Sequence, residues 1–287
     1  PEHAAEPRDP PSYGRDEMNL AEFPFATLRG RTDRQRKSIR YEGWITREDG
    51  TRQHQKWVVR GLEGEGLGTE GVGLPTEFDE RVYVALMYLT AEAGFSSRKV
   101  PFSMYQVLQV MGLATSGTNY RQTERALDRL KGITIRTEGA FWDNERHERV
   151  KTLLAFNLID EYWLSYRESD ERVIEAEGVP AYIMWSERIW ASIRSGYIKS
   201  LDVTFFYSLS SPVSRRLYRF LDKRMQYQTE YEIDVFDLAS RLGMTRYRYP
   251  SKVIEKLQPG FDELVGRGFL MRAEPVKRGR YTRIAFT

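Results

Sequence analysis

The chain has 287 residues, 40 % of them hydrophobic and 13 % aromatic, enough to bury a sizeable core in one large or two small domains and to exclude a disordered protein. Lysine and arginine (44) exceed aspartate and glutamate (41) by only 3, so the net charge identifies no nucleic-acid partner and the placement of charge along the chain matters more. Cysteine is absent, which excludes disulfides, thiol nucleophiles and cysteine-ligated zinc and fits a reducing, cytoplasmic setting; no apolar run has the length of a membrane span.

Residues 1–17, "PEHAAEPRDPPSYGRDE", lack the apolar core of a secretory signal and are expected to be a disordered tail. Residues 18–72 form a second region, expected to pack on the domain that follows. It begins with the compact apolar run "MNLAEFPFATL" and continues into a basic segment in which Ile39, Tyr41 and Trp44, then Trp57 and Val59, alternate as in strands around Asp49-Gly50. That is the signature of a hairpin, here an arginine-rich β-ribbon. The glycine-rich "GLEGEGLGTEGVG" reads as a flexible connector.

From Thr76 the period becomes helical: Thr76 stands as N-cap, Asp79 in the first turn, and Phe78, Val82, Leu86 and Leu89 on one face, with the end expected near Gly94. In "VPFSMYQVLQVMGL" a short helix is capped by Ser103, completed by Gln106 as a capping box and stopped by Gly112. "TNYRQTERALDRLKG" follows as a helix with Thr123, Leu127 and Leu130 inward and Arg121, Gln122, Arg125 and Arg129 outward. Two strand-like runs, "ITIRTEG" and "RVKTLLAFNLIDEYWLSYR", are joined by the hairpin-like "AFWDNERHE", whose Asp143, Glu145, Arg146, His147, Glu148 and Arg149 are mixed in sign. Helix, helix, helix, strand, strand is the order of a winged helix-turn-helix.

The pattern then repeats. "RRLYRFLDKRM" resembles "ERVYVALMYLT", and "DVFDLASRLGM" aligns without gaps on "SMYQVLQVMGL", matching Asp234 to Ser103, Phe236 to Tyr105, Leu242 to Met111 and Gly243 to Gly112. The fold class expected is α+β: two tandem winged helix-turn-helix domains with an N-terminal β-ribbon. The boundary falls in "RESDERVIEAEG", giving domains at 73–170 and 171–287. An insertion precedes the second long helix, with "SERIWASIRSGY" as helix, "DVTFFYSL" as strand, and Ser211-Pro212 opening the next helix.

In the second repeat the third helix carries Val253, Leu257, Phe261 and Leu264 inward, with a bend expected at Pro259. It starts after "TRYRYPSK", where Arg246, Arg248 and Lys252 interleave with tyrosines, and Lys256 follows one turn later. From Arg246 onward ten basic residues face four acidic ones. A recognition helix brings its N-terminal end to base edges and phosphates, so these side chains are candidates for DNA contact beside those of the first repeat. Lys277, Arg278, Arg280 and Arg283 fall at or near the tip of the last hairpin, where a wing lies along the backbone.

No catalytic or metal constellation emerges. The three histidines, His3, His54 and His147, are far apart in sequence, and the connector lacks the Gly-Lys-Ser/Thr ending of a phosphate loop. Tyr83, Tyr88, Tyr218 and Tyr227 sit at core spacing and read as packed. The expectation is a protein that is not an enzyme and takes no cofactor.

"NLAEFPF", "GLPTEFDERVYVALMYL", "VPFSMYQVLQVMGL", "YRQTERALDRLKGITI" and "AFWD", in this order, resemble the replication initiator protein A family of plasmids, over about Asn19 to Tyr166. The tandem plan is more distantly similar to iteron-type initiators. The resemblance implies an initiator that binds repeated sites in double-stranded DNA at its origin, helps open the duplex and helps load the host initiator and helicase, and that forms homodimers. Two other readings stay open: a winged-helix transcriptional regulator or partition adaptor, and a metal-dependent nuclease or primase.

Overall fold

The computed structural model of the protein describes residues 13–30, 35–46, 50–62, 73–164, 166–169, 172–175 and 181–287; at 166–169 and 172–175 it describes the backbone alone. The first described strand, β1 (Tyr13–Glu17), pairs antiparallel with Ile198–Asp202, far along the chain. Tyr13 to Glu17 are therefore not part of a loose tail, and residues 1–12 lie outside the described residues. The polar letters mislead because their acids have partners: Asp16 and Glu17 are fully buried. Glu17 caps α1 (Met18–Glu22), its carboxylate accepting from the Leu20 amide at 2.8 Å. Burial pushes the Glu17 carboxyl up, against hydrogen bonds from Ser192, Leu20 and Asn19.

The ribbon forms as expected, β2 (Ser38–Thr46) against β3 (Arg52–Arg60), in register from Ser38 opposite Arg60 to Thr46 opposite Arg52. Gly50 takes the left-handed conformation its turn requires, while residues 47–49 and the connector residues 63–72 lie outside the described residues. The ribbon is not a free arm. Its apolar face of Ile39, Tyr41, Trp57 and Val59 is buried, and Phe23 stacks on Trp57 with ring centroids 5.0 Å apart.

Three helices follow, separated by one short strand: α2 (Glu77–Glu92), β4 (Lys99–Phe102), α3 (Met104–Val110) and α4 (Gly117–Gly132). The caps read from the sequence are in place, with Ser103 Oγ accepting from the Gln106 amide at 3.0 Å and Gln106 Oε1 accepting from the Ser103 amide at 2.8 Å. Beyond α4 the structure departs from expectation. β5 (Thr134–Glu138) does not join β4 but pairs with β3. After the small hairpin of β6 (Trp142–Asp143) and β7 (Glu148–Arg149), β8 (Leu154–Phe156) pairs with β5 and completes a four-stranded sheet, β2-β3-β5-β8. The reason is the burial face: Ile135 and Phe156 extend the apolar row that Val59 begins. "AFWDNERHE" is thus a clasp, not an extension of the helical unit's sheet. Asn19 accepts from and donates to the Trp142 backbone, and Asn144 donates to the Ser195 carbonyl at 2.6 Å.

The helical unit's own sheet is completed by β9 (Ile159–Trp163) and, beyond the hairpin of β10 (Tyr166–Ser169) and β11 (Arg172–Glu175), by β12 (Ala181–Trp185), in the order β4-β12-β9. The boundary expected at 170 falls between the paired strands β10 and β11. The strand pairing instead carries the chain back to β4, so the charge-rich segment holds a hairpin where a linker was expected. Next come α5 (Glu187–Arg194), β13 (Ile198–Asp202) and α6 (Val203–Ser208), the last a helix where a strand was expected. Asp202 causes the change: its carboxylate accepts from the Phe205 amide at 2.7 Å, and Val203 and Phe206, one turn apart, are buried.

The second set runs α7 (Pro212–Arg224), β14 (Tyr231–Asp234), α8 (Val235–Arg241), α9 (Pro250–Gly266), β15 (Ala273–Arg278) and β16 (Tyr281–Phe286), with sheet order β14-β16-β15. Helix, strand, helix, helix, strand, strand recurs, and in both sheets the first strand lies beside the third. Ser103 and Asp234 cap matching helices, and Gly112 and Gly243 end them at φ of 65° and 72°. The helix α9 runs unbroken through Pro259.

Buried ion pairs join the two sets to each other and to the N-terminus. Arg216 holds Glu80 at 2.6 and 2.8 Å; Arg219 holds Asp16 at 2.7 and 2.8 Å and also reaches Glu80. Glu22 on α1 gathers Lys223, Arg224 and Arg241. Burial alone would push Asp16 and Glu80 up, yet the guanidinium groups beside them hold both carboxyls below the usual range. Residues 18–72 were expected to pack on the first domain; among the described residues of this segment α1 lies on α7 and β2 on α8, so it packs on both sets.

Candidate nucleic-acid interface

Each set presents its third helix at the surface, and the two differ in which cations reach solvent. In α4 the N-terminus is fixed by Ser116, which accepts from the Asn119 amide at 3.2 Å, and by the Asn119 side chain donating to the Ala114 carbonyl at 2.7 Å. Thr123, Ala126, Leu127 and Leu130 are buried. Arg121 and Gln122 are exposed as expected, and Arg125 is half-buried.

Arg129 is not where the sequence put it. Its guanidinium turns inward and grips Asp79 at 2.6 and 2.7 Å, and Asp79 also accepts from the Thr76 amide at 2.7 Å. A fully buried carboxylate needs a charge partner, and α4 packs against α2 where Arg129 can supply one. Arg129 therefore leaves the set of surface candidates. The clue was present in Asp79, which the capping argument had already placed at the start of α2.

In α9 the start is extended by Tyr249 as N-cap and Pro250 as the first helical residue. Among the described residues no side-chain hydrogen bond caps this end, and the Lys252 amide donates to the Tyr249 carbonyl at 3.1 Å. Arg246, Arg248, Lys252 and Lys256 are exposed around that end, with the Arg248 guanidinium 5.2 Å from the centre of the exposed Tyr249 ring. Lys252 is engaged by Glu255 at 2.7 Å, which raises the lysine's pKa and lowers the glutamate's. Arg246 has no carboxylate partner among the described residues.

The last hairpin turns at Gly279, whose φ is 60°. Lys277 donates to Thr282 at 3.0 Å, and Arg280 lies at the turn over the Tyr281 ring. Arg278 is exposed yet tied to Glu232 at 2.8 Å, and Arg283 holds the same carboxylate at 2.7 Å. The hydrogen bond from Arg278 holds Glu232 below the usual carboxylate range. Of the hairpin cations, Arg280 and Lys277 are thus without a carboxylate among the described residues.

Two features escaped the sequence reading. Tyr105 and Phe236, the matched aromatic residues on α3 and α8, are both partly open to solvent, at 49 % and 39 % exposure. Tyr227, expected in the core, is 91 % exposed, whereas Tyr83 and Tyr218 are buried as expected. Among the described residues no three metal-ligating side chains gather, and no helix is long and apolar enough to cross a membrane.

Comparison with solved structures finds the same overall arrangement in a crystal structure of domains 2 and 3 of RctB, a selenomethionine derivative, at a TM-score of 0.57 and 14 % identity, covering 95 % of this chain and 98 % of that one. A second crystal structure of RctB domains 2–3 matches at a TM-score of 0.50 and 14 % identity, covering 93 % and 96 %. At that identity the likeness is one of fold. No curated protein matches the chain in sequence. The model of the Replication initiator protein A family matches residues 15–259, from within β1 to within α9, and the chain belongs to that family of replication initiators.

Proposed function

We propose that the protein initiates replication by binding repeated sites in double-stranded origin DNA through two tandem winged helices. In this reading α4 and α9 are the groove-reading helices, and the hairpins β10–β11 and β15–β16 are the wings. The repeated order of elements, with the first strand beside the third in both sheets, carries the reading. Support comes from the placement of polar side chains: Arg121 and Gln122 stand on the open face of α4, and Arg246, Arg248, Lys252 and Lys256 are exposed around the N-terminal end of α9. Arginine and glutamine are the side chains whose paired donors and acceptors match guanine and adenine edges in the major groove.

The division between the two units then lies after β12. The role is binding without catalysis; opening of the duplex, help in loading a host initiator and helicase, and a homodimeric state complete the reading. Footprinting of the purified chain on DNA flanking its gene tests it. Protection of regularly spaced repeats, with affinity falling steeply as salt rises, is the expected result. Equal protection of random sequence at physiological salt would overturn it.

A further inference from the structure

The proposed reading helices leave one strongly cationic surface unexplained, the solvent side of the sheet β2-β3-β5. Strand register places Arg40, Val58 and Arg136 in one row across three strands, and Arg60 in the next row between Ser38 and Thr134. With neighbouring strands about 4.8 Å apart, Arg40 and Arg136 stand roughly 10 Å apart with Arg60 diagonal to both. All three are exposed, as is Lys37 just before β2.

These side chains line a hollow of about 560 Å³ together with Ser38, Thr134 and Gly132. A second hollow of about 380 Å³ shares Arg40, Arg60 and Arg136 and adds Lys56. The two nearby carboxylates, Glu42 and Glu138, lie in the Lys56 row, one on each side of it. Glu42 is also engaged with His54 at 3.0 Å. Arg60 and Arg136 have no carboxylate partner among the described residues, and Arg40 donates to Ser38.

Like charges held side by side on a sheet face repel, and the carboxylates Glu42 and Glu138, set in the Lys56 row, are fewer than the cations Lys37, Arg40, Lys56, Arg60 and Arg136. The surface is built for an anion spread over several points, not for a compact ligand. It also adjoins the end of α4, since Gly132 lines the larger hollow. The 16-residue helix α4 is about 24 Å long. Cations thus run from its open face at Arg121, past the exposed Lys131 on its last turn, onto the sheet. One exposed aromatic ring, Trp44, lies on this face, beyond the Lys56 row and already under the Arg52 guanidinium at 5.3 Å. A platform for stacking unpaired bases is therefore missing beside the arginines.

We infer that the face formed by Lys37, Arg40, Arg60 and Arg136 binds the phosphodiester backbone of duplex DNA next to the bases that α4 reads, lengthening the contact without reading sequence. The inference rests on the proposed DNA-binding function. It makes the ribbon sheet an electrostatic shelf, with one phosphate held by each exposed guanidinium.

The test uses the full chain and a duplex of the repeat identified by footprinting, with and without flanking DNA of one helical turn at each end, plus the flanked sequence as a single strand. The variant Arg40→Ser/Arg60→Ser/Arg136→Ser is expected to bind the flanked duplex at least about tenfold more weakly, with the slope of log affinity against log salt smaller by about 2 to 3. The unflanked duplex should be bound as before, and Arg40→Lys/Arg60→Lys/Arg136→Lys should restore most of the loss. An unchanged affinity and slope on the flanked duplex overturns the inference, as does a loss confined to the single strand. Arg246→Ala on the same probes separates the two failures: if it weakens binding while the sheet variant does not, the reading helices stand and the shelf falls. If neither variant changes binding, the proposed function falls with it.

Discussion

Arg216 on α7 faces Glu80 on α2 through hydrogen bonds of 2.6 and 2.8 Å, and both side chains are almost wholly shielded from water. The two residues lie in the stretches of sequence that resemble each other, so the repeat is joined to itself at its first helices. Glu80→Gln leaves Arg216 and Arg219 short of a counter-charge inside the protein. Removing one member of such a buried pair costs about 3 to 5 kcal/mol. Urea unfolding followed by circular dichroism is expected to show a loss of that size, and a loss below about 1 kcal/mol would mean the pair is not what joins the units.

Acid should attack the same place. Asp16 and Glu80 have folded pKa values below their ordinary 3.8 and 4.5, so their contribution is complete above those values and is lost as pH falls through the lowered ones. Glu17, held up by burial, acts in the opposite sense, its contribution lost as pH rises through its raised value. Thermal melts are expected to show a steep fall in stability below about pH 4. In Glu80→Gln that fall should be shallower, because one of the buried carboxyls held low at this junction is gone.

Arg121 and Arg129, two turns apart on α4, are expected to fail differently. Arg121→Ala should leave the melting temperature unchanged and cost about 1 to 3 kcal/mol in discrimination for the repeat over random duplex. Arg129→Ala abandons buried Asp79 and should lower stability by about 3 to 5 kcal/mol. Comparing melts with fluorescence anisotropy on both duplexes separates the two. A stable Arg129→Ala protein that binds poorly would reverse the assignment of its side chain to Asp79.

The glycines that close α3 and α8 allow a matched experiment. A side chain at Gly112 meets only the cost of the left-handed conformation, about 1 to 2 kcal/mol, with open space around it. At Gly243 the added Cβ would also lie 3.0 Å from Pro24 Cβ and 3.2 Å from the Ala26 carbonyl oxygen. Gly243→Ala is therefore expected to be the more destabilising, measured by urea midpoint, and equal losses would show that the N-terminal segment gives way.

Local chemistry was legible where it is local. Ser103 with Gln106, Thr76 with Asp79, Ser211 with Pro212, the ribbon hairpin turning at Gly50 and the matched glycines all depend on residues a few positions apart, and each lies where spacing put it; Asp49 of that turn lies outside the described residues. What escaped depends on partners distant in sequence. Nothing near Asp16 announces Arg219, and nothing near Ile135 says that its strand will choose β3 over β4. On the surface, helical spacing put Arg121 outward and the basic run before α9 put Arg246 there, but neither could show that Arg129 turns in or that Arg278 is held by Glu232. A long side chain reaches whatever acid the fold brings near, and that is a property of packing.

The pairing of β1 with β13 imposes an order on manufacture. Tyr13–Glu17 is made well before its partner strand β13, and the cations that neutralise Asp16 and Glu22 follow only in α7 and α8. Until then those acids cannot leave water, because a lone carboxylate is not tolerated in an apolar interior. A chain cut short before α7 therefore carries α4 without the cations that pair with Asp16 and Glu22.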